Sequence, residues 1–191
     1  MHDHERELVL DCAMERFWRR GYVNTKIDSI VSDTGVNRYA IYKAFSNKDG
    51  LFRAALTRYD ERITAQIKTI LDESPASPIR KLESAAEWLI GEFAVRRAGC
   101  LILDSSPHLQ SQSGLMSIKI GCKKKMLQQF AGQFGAAKKI GQCKSPMSTK
   151  QLADILLVLC LGQGTRARID PTVAKNASAV RVFFKVVDQM R

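Results

Sequence analysis

The stretch Thr25-Lys-Ile-Asp-Ser-Ile-Val-Ser-Asp-Thr-Gly-Val-Asn-Arg-Tyr-Ala-Ile-Tyr-Lys-Ala-Phe-Ser-Asn-Lys48 decides the reading of the chain. Ile27, Ile30 and Val31 recur at helical spacing, and Gly35 follows where a sharp turn needs a residue tolerant of the left-handed conformation. Behind Asn37, a good N-cap, Ile41 and Phe45 form a second inward stripe. Two short helices joined by a glycine turn make a helix-turn-helix, with Val36 and Ile41 packing the second helix onto the first.

The outward face of that second helix is suited to a major groove. Arg38 can present two parallel N–H donors to a guanine edge, Tyr39 offers a ring and a hydroxyl, and Asn37 stands at the helix start. Thr25 and Lys26 open the preceding helix, where unpaired N–H groups and the dipole attract phosphate. The Thr25 hydroxyl is expected to cap that helix, and Asp28 to favour its first turn through the dipole. Tyr42, Lys43 and Lys48 are placed to hold the sugar-phosphate backbone further on. The candidate DNA-contacting set is therefore Thr25, Lys26, Asn37, Arg38, Tyr39, Tyr42, Lys43 and Lys48.

Working outward, the periodicity predicts a helix from Asp3, as N-cap, to about Arg20, stopped by Gly21. A longer helix over 48–72 carries Leu51, Phe52, Ala55, Leu56, Tyr59, Ile63 and Ile67 on one face and connects two halves of the chain. After the break Ser74-Pro75-Ala76-Ser77-Pro78, helices are expected over 78–97, 100–106, 112–137, 148–167 and 171–190. Without β alternation, repeats or low-complexity tracts, the fold class is all-α with about nine helices.

The last two helices are apolar on more than one side. Residues 152–161 are hydrophobic almost all round; the final helix sets Val173, Ala177, Val180, Phe184 and Val187 on one stripe and Val182, Phe183 and Val186 on its neighbour. Either one monomer core encloses both helices, or the pair forms a dimer interface, a four-helix bundle with its symmetry mate. Leu156, Leu159, Val180, Phe184 and Val187 are the interface candidates.

Composition bounds the function. With 191 residues, 45% of them hydrophobic, and a formal charge of +11, the chain can build a core and suits a polyanionic partner. Its longest apolar run, Ile155 to Leu161, is too short to span a bilayer, and the acid-bearing N-terminus is no signal peptide, so a cytoplasmic protein is expected. Five scattered cysteines (Cys12, Cys100, Cys122, Cys143, Cys160) without Cys-x-x-Cys argue against a disulfide framework and a zinc site. His2, His4 and His108 lack a nucleophile partner and there is no phosphate-binding loop, so neither enzyme activity nor a cofactor or metal is expected. The charge itself is a poor guide to DNA: residues 1–62 hold eleven basic and ten acidic side chains, a net of +1. From Ser105 to Ala153 there is no acid, while Lys119, Lys123, Lys124, Lys125, Lys138, Lys139, Lys144 and Lys150 add eight positive charges; a solvated face, an anionic effector or long-range attraction to DNA would each account for them.

Several motifs in register, from about Val9 to Leu56, resemble the N-terminal domain of the TetR family of bacterial transcriptional regulators. They are Phe17-Trp-Arg-Arg-Gly-Tyr22, Asn24-Thr25, Thr34-Gly35-Val36-Asn37-Arg38, Ile41-Tyr42-Lys43-Ala44-Phe45 and Asn47-Lys48-Asp49-Gly50-Leu51-Phe52. Two departures stand out: Tyr39 where many relatives hold a small residue, and Ala44 where His is frequent. The resemblance implies a helix-turn-helix DNA-binding domain over 1–47 and an effector-binding and dimerisation domain over 48–191. It further implies a homodimer on a double-stranded operator, nucleoid-associated when bound to DNA, and release, most often of a repressor, by a small-molecule effector of unknown identity. The rival function is a helical small-molecule-binding or dimerising module without specific operator recognition.

The implied pocket has candidates by helix face: Trp88, Phe93, Cys122, Phe130 and Phe134, most of which also read as plain core. Cys100 joins them because Arg97-Ala98-Gly99-Cys100-Leu101 resembles an Arg-Gly-Cys-Leu pattern of one TetR subgroup, in which some members sense electrophiles or oxidants. Arg96 and Arg97 nearby would favour its thiolate, and a buried structural cysteine is the competing reading.

Overall fold

The computed structural model describes residues 1–96, 98–105, 113–170, 172 and 178–189. Among them the fold is all-α, with nine helices: α1 (Asp3–Asn24), α2 (Ile27–Thr34), α3 (Arg38–Phe45), α4 (Lys48–Glu73), α5 (Pro78–Arg96), α6 (Leu101–Asp104), α7 (Ser113–Lys139), α8 (Thr149–Ile169) and α9 (Ser178–Gln189). None of the helices is long and apolar enough to cross a membrane among the described residues. The chain packs as two compact units, Met1–Arg62 with Leu101–Lys119, and Ile63–Cys100 with Ile120–Arg191.

In the first unit α1 lies at the centre. Val9, Ala13 and Phe17 are fully buried from its inner face, as are Ile30 from α2, Ile41 from α3 and Leu51 from α4. Helical geometry breaks at Gly21 (φ 73°) and resumes to Asn24, so the predicted stop at Gly21 is a kink inside a longer helix. The kink brings Tyr22 back against the core, where its ring meets Phe52 edge-on at 4.9 Å and Phe17 meets Phe52 at 4.8 Å. Trp18 packs edge-on against Tyr59 at 4.8 Å, and α6 covers α1 with Leu101 and Ile102. The N-cap of α1 is His2 rather than the expected Asp3. Glu5 reaches back to accept from the His2 N–H at 2.8 Å, which a cap one residue later would not allow.

The second unit is built on α5 against α8, with α9 on both. Leu82, Leu89 and Phe93 of α5, Phe130 and Phe134 of α7, Leu152, Leu156 and Cys160 of α8 and Val180 of α9 are fully buried. Ser148 caps α8 by accepting from the Gln151 N–H at 3.2 Å. At the end of α7, Lys138 donates to the carbonyls of Ser145 and Met147 at 2.7 and 2.6 Å, and Lys123 pairs with Asp154 at 3.4 Å. Lys138 and Lys123 of the acid-free stretch are therefore engaged within the chain, whereas Lys124, Lys139, Lys144 and Lys150 are exposed. Burial raises the Cys160 thiol to about 12, so it stays protonated. Of the last predicted helix, Ser178–Gln189 is described; Val173 and Ala177 lie outside the described residues, as do His108 and Arg97.

Candidate nucleic-acid interface

The turn between α2 and α3 rests on one backbone requirement. Gly35 has φ 70°, in the left-handed region, and its N–H closes α2 on the Val31 carbonyl at 2.9 Å. Thr34 donates to the Ile30 carbonyl at 2.7 Å and accepts from the Val36 N–H at 3.3 Å, and Val36 is buried immediately beyond. Asn37 then caps α3 by accepting from the Ala40 N–H at 2.8 Å. With Ile41 and Phe45 buried on one side of α3, the other side is fixed toward solvent.

On that outer side Arg38, Tyr39, Tyr42 and Lys43 are all exposed, Tyr39 at 75%. A side chain left this open on an otherwise well-packed helix is available to a partner. Arg38 also pairs with the carboxylate of Asp28, in the first turn of α2. Sequence reasoning assigned Asp28 only to the helix dipole, because a contact across the turn has no signature in spacing.

The flanking positions behave differently. Lys26, not Thr25, is the N-cap residue of α2, and no side chain caps it. Thr25 is fully buried and its hydroxyl faces the other way, donating toward the carbonyls of Gly21 at 2.8 Å and Arg16 at 3.2 Å. The expected hydroxyl cap is thus corrected: the Thr25 hydroxyl serves carbonyls of α1 behind it rather than the helix ahead. Lys26 is exposed. Lys48, at the start of α4, sits with Nζ 4.3 Å from the Tyr22 ring centre and 3.4 Å from the Val23 carbonyl, and partial burial lowers its pKa. Beneath it the Tyr22 hydroxyl donates to Asp49; burial first and that carboxylate second raise the Tyr22 pKa to about 12.

Asn47 caps α4 by accepting from the Gly50 N–H at 2.8 Å, and Gly50 permits a close approach: a Cβ there would overlap the Phe45 carbonyl, the end of α3. The α3–α4 junction therefore holds the reading helix by backbone contact. Arg16 also ties α1 to α2 through Asp33 at 2.5 Å, and this hydrogen bond keeps the Asp33 carboxyl below its usual range.

In the second unit the pocket candidates are close-packed. Phe93, Phe130 and Phe134 are fully buried, Cys122 is buried, Trp88 is half-buried, and Cys100 is half-buried just before α6 without a disulfide. The Arg96 and Arg97 side chains invoked beside it lie outside what is described. Sequence reasoning missed Gln163: it is 3% exposed, continues the inward stripe of Ala153, Leu156, Cys160 and Ala167 on α8, and neither of its amide atoms has a hydrogen-bond partner.

The dimer-face candidates need correction. Leu156, Val180, Phe184 and Val187 are buried within the chain, Phe184 against Phe134 at 6.3 Å and Phe183 at 5.3 Å. Leu159 alone of the five is part-exposed. Uncovered apolar side chains stand beside them: Ile155 and Val158 on α8, Val182 and Val186 on α9.

Comparison with known proteins places this geometry. Residues 9–55 match the family described as bacterial regulatory proteins, tetR family. Over 177 residues the chain is 29% identical to the HTH-type transcriptional repressor ComR of Escherichia coli (strain K12), covering 90% of this chain and 83% of that protein. The crystal structure of SCO4454, a TetR-family transcriptional regulator from Streptomyces coelicolor, superimposes with a TM-score of 0.82 at 19% identity over 98% of this chain and 97% of that one. A cysteine mutant of the TetR-family regulator CifR, complexed with 26-bp double-strand operator DNA, gives 0.78 at 19% identity over 95% and 96%.

Proposed function

We propose, from the premise that this chain belongs to the TetR family of bacterial transcriptional regulators, that it acts in the cytoplasm as a homodimeric repressor of an inverted-repeat operator and is released by a small effector. The observation that carries the reading is the α3 surface: Arg38, Tyr39, Tyr42 and Lys43 exposed on a helix whose other side is locked by Ile41 and Phe45. Two such helices, one per protomer, enter successive major grooves about 34–36 Å apart, or a little more. Arg38 and Tyr39 read bases beside Asn37, while Lys26, Tyr42, Lys43 and Lys48 hold phosphates. Thr25 contributes by fixing the entry to α2 rather than by offering its hydroxyl.

Dimerisation is assigned to the uncovered stripes of α8 and α9, Ile155, Val158, Val182 and Val186 with part-exposed Leu159. Apolar side chains in such number are normally covered by a partner. The effector is assigned to the second unit, among Trp88, Phe93, Cys122, Phe130 and Phe134. The unpaired Gln163 amide supports this, because a buried donor and acceptor without partners are satisfied when a polar group or water enters. Residues 1–47 thus carry DNA recognition and 48–191 its control. Helix α4, about 39 Å long at 1.5 Å per residue, belongs to both units and carries the coupling, of about 1–3 kcal/mol, to Lys48.

Selection of bound sites from a randomised duplex pool by the purified chain tests the reading. An enriched inverted repeat is expected. Binding that is only salt-sensitive and indifferent to sequence would instead leave a dimerising or ligand-binding module without operator recognition.

A further inference from the structure

We infer that Asp28 is a positioning residue for base readout, its carboxylate holding one edge of the Arg38 guanidinium so that the other edge faces the DNA; the inference rests on the proposal that α3 enters the major groove. Asp28 is the second residue of α2 and Arg38 the first of α3. Their separation is set by elements that cannot drift, namely the left-handed turn at Gly35, the Asn37 cap and the fully buried Ile30 and Ile41. The pair is therefore a product of the helix-turn-helix geometry.

Its exposure indicates what it does. Side chains 54% exposed for Arg38 and 66% for Asp28 make an ion pair that contributes little to folding. What the contact changes is the freedom of Arg38: a long side chain free to sample many rotamers loses that entropy on binding, and a carboxylate on one edge removes part of the loss beforehand. A guanidinium has two hydrogen-bonding forks, and the contact recorded here uses a single amino nitrogen, Nη2, which leaves a fork for a guanine edge. A carboxylate on the reading face also repels phosphate wherever Arg38 has no base to match. In a unit whose net charge over residues 1–62 is only +1, that repulsion weighs against unspecific binding. One contact thus sharpens the difference between the right site and the wrong one.

The test applies the duplex selection to the whole wild-type chain, to Asp28→Asn, to Arg38→Ala and to the double variant. Asp28→Asn is expected to lower preference about fivefold or more at the operator position that Arg38→Ala flattens, to tighten binding to unrelated duplex, and to have no further effect in the double variant. Arg38→Lys, which keeps the ion pair but has no fork, is expected to lose that preference as well. Unchanged preference in Asp28→Asn overturns the inference. So does an equal loss with Arg38 already removed, because Asp28 would then be reading a base by itself. A wild-type chain that enriches no inverted repeat removes the underlying reading, a result distinct from both.

Discussion

Helix pairs α2–α3 and α8–α9 use the same material, apolar stripes at helical spacing, but only the first is unambiguous in sequence. On α3 the contrast between Ile41 and Phe45 on one side and Arg38, Tyr39, Tyr42 and Lys43 on the other assigns inside and outside at once. On α8 and α9 both candidate sides are apolar, and periodicity cannot say which one the chain keeps for itself. The structure buries Leu156, Val180, Phe184 and Val187 and leaves Val158, Val182 and Val186 about half open. A polar face identifies itself; choosing between two apolar faces requires knowing the neighbours.

The sharpest way to break this comparison is to mutate the two α9 stripes separately. Phe184→Ala is expected to cost about 3–5 kcal/mol in urea unfolding, as for a buried aromatic. The double change Val182→Asp and Val186→Asp should leave the chain folded by circular dichroism but dissociate the proposed dimer in sedimentation; an unchanged dimer mass would return the interface to the inner stripe. Next in size is Gly50→Ala, which forces the start of α4 off the Phe45 carbonyl and is expected to cost about 1–3 kcal/mol. A thermal midpoint equal to wild type would mean that the α3–α4 junction yields freely.

At the reading surface, Arg38→Ala is expected to lose about 1–3 kcal/mol of base discrimination, seen as a flattened position in selected sites. Lys48→Ala should instead weaken all duplexes alike and reduce the salt slope by about one. If the two variants behave the same, the division between base and backbone contacts fails. The smallest effect is that of Tyr22. Its pKa is raised from 10.0 to about 12, so its contribution to stability is intact below pH 10 and is lost as pH rises from 10 toward 12. Melting followed across that range should show the decline in wild type and a shallower one in Tyr22→Phe.

What was legible in the sequence follows the same physics. Gly35 and Asn37 were readable because a left-handed turn and an N-cap each demand particular residue types, and both are as expected. Thr25 misled because a hydroxyl before a helix can serve either the helix ahead or the carbonyls behind, and here it serves those of Gly21 and Arg16. Asp28 and Gln163 were invisible for a related reason: their significance lies in what stands opposite, a guanidinium for one and no partner for the other. Among the described residues the all-α class and the helix order were legible, with ends displaced by a few residues.

The deep burial of Cys160 makes the protein its own clock. A protonated, enclosed thiol reacts with an alkylating reagent only when the helices around it separate, so the rate at which Cys160 is labelled reports how often the second unit opens. Cys12, half-buried on α1 next to Asp33 of α2, is open to the reagent without any unfolding and supplies the reference rate. The ratio of the two rates, in one chain and one tube, separates the opening of the second unit from the reactivity of the reagent itself.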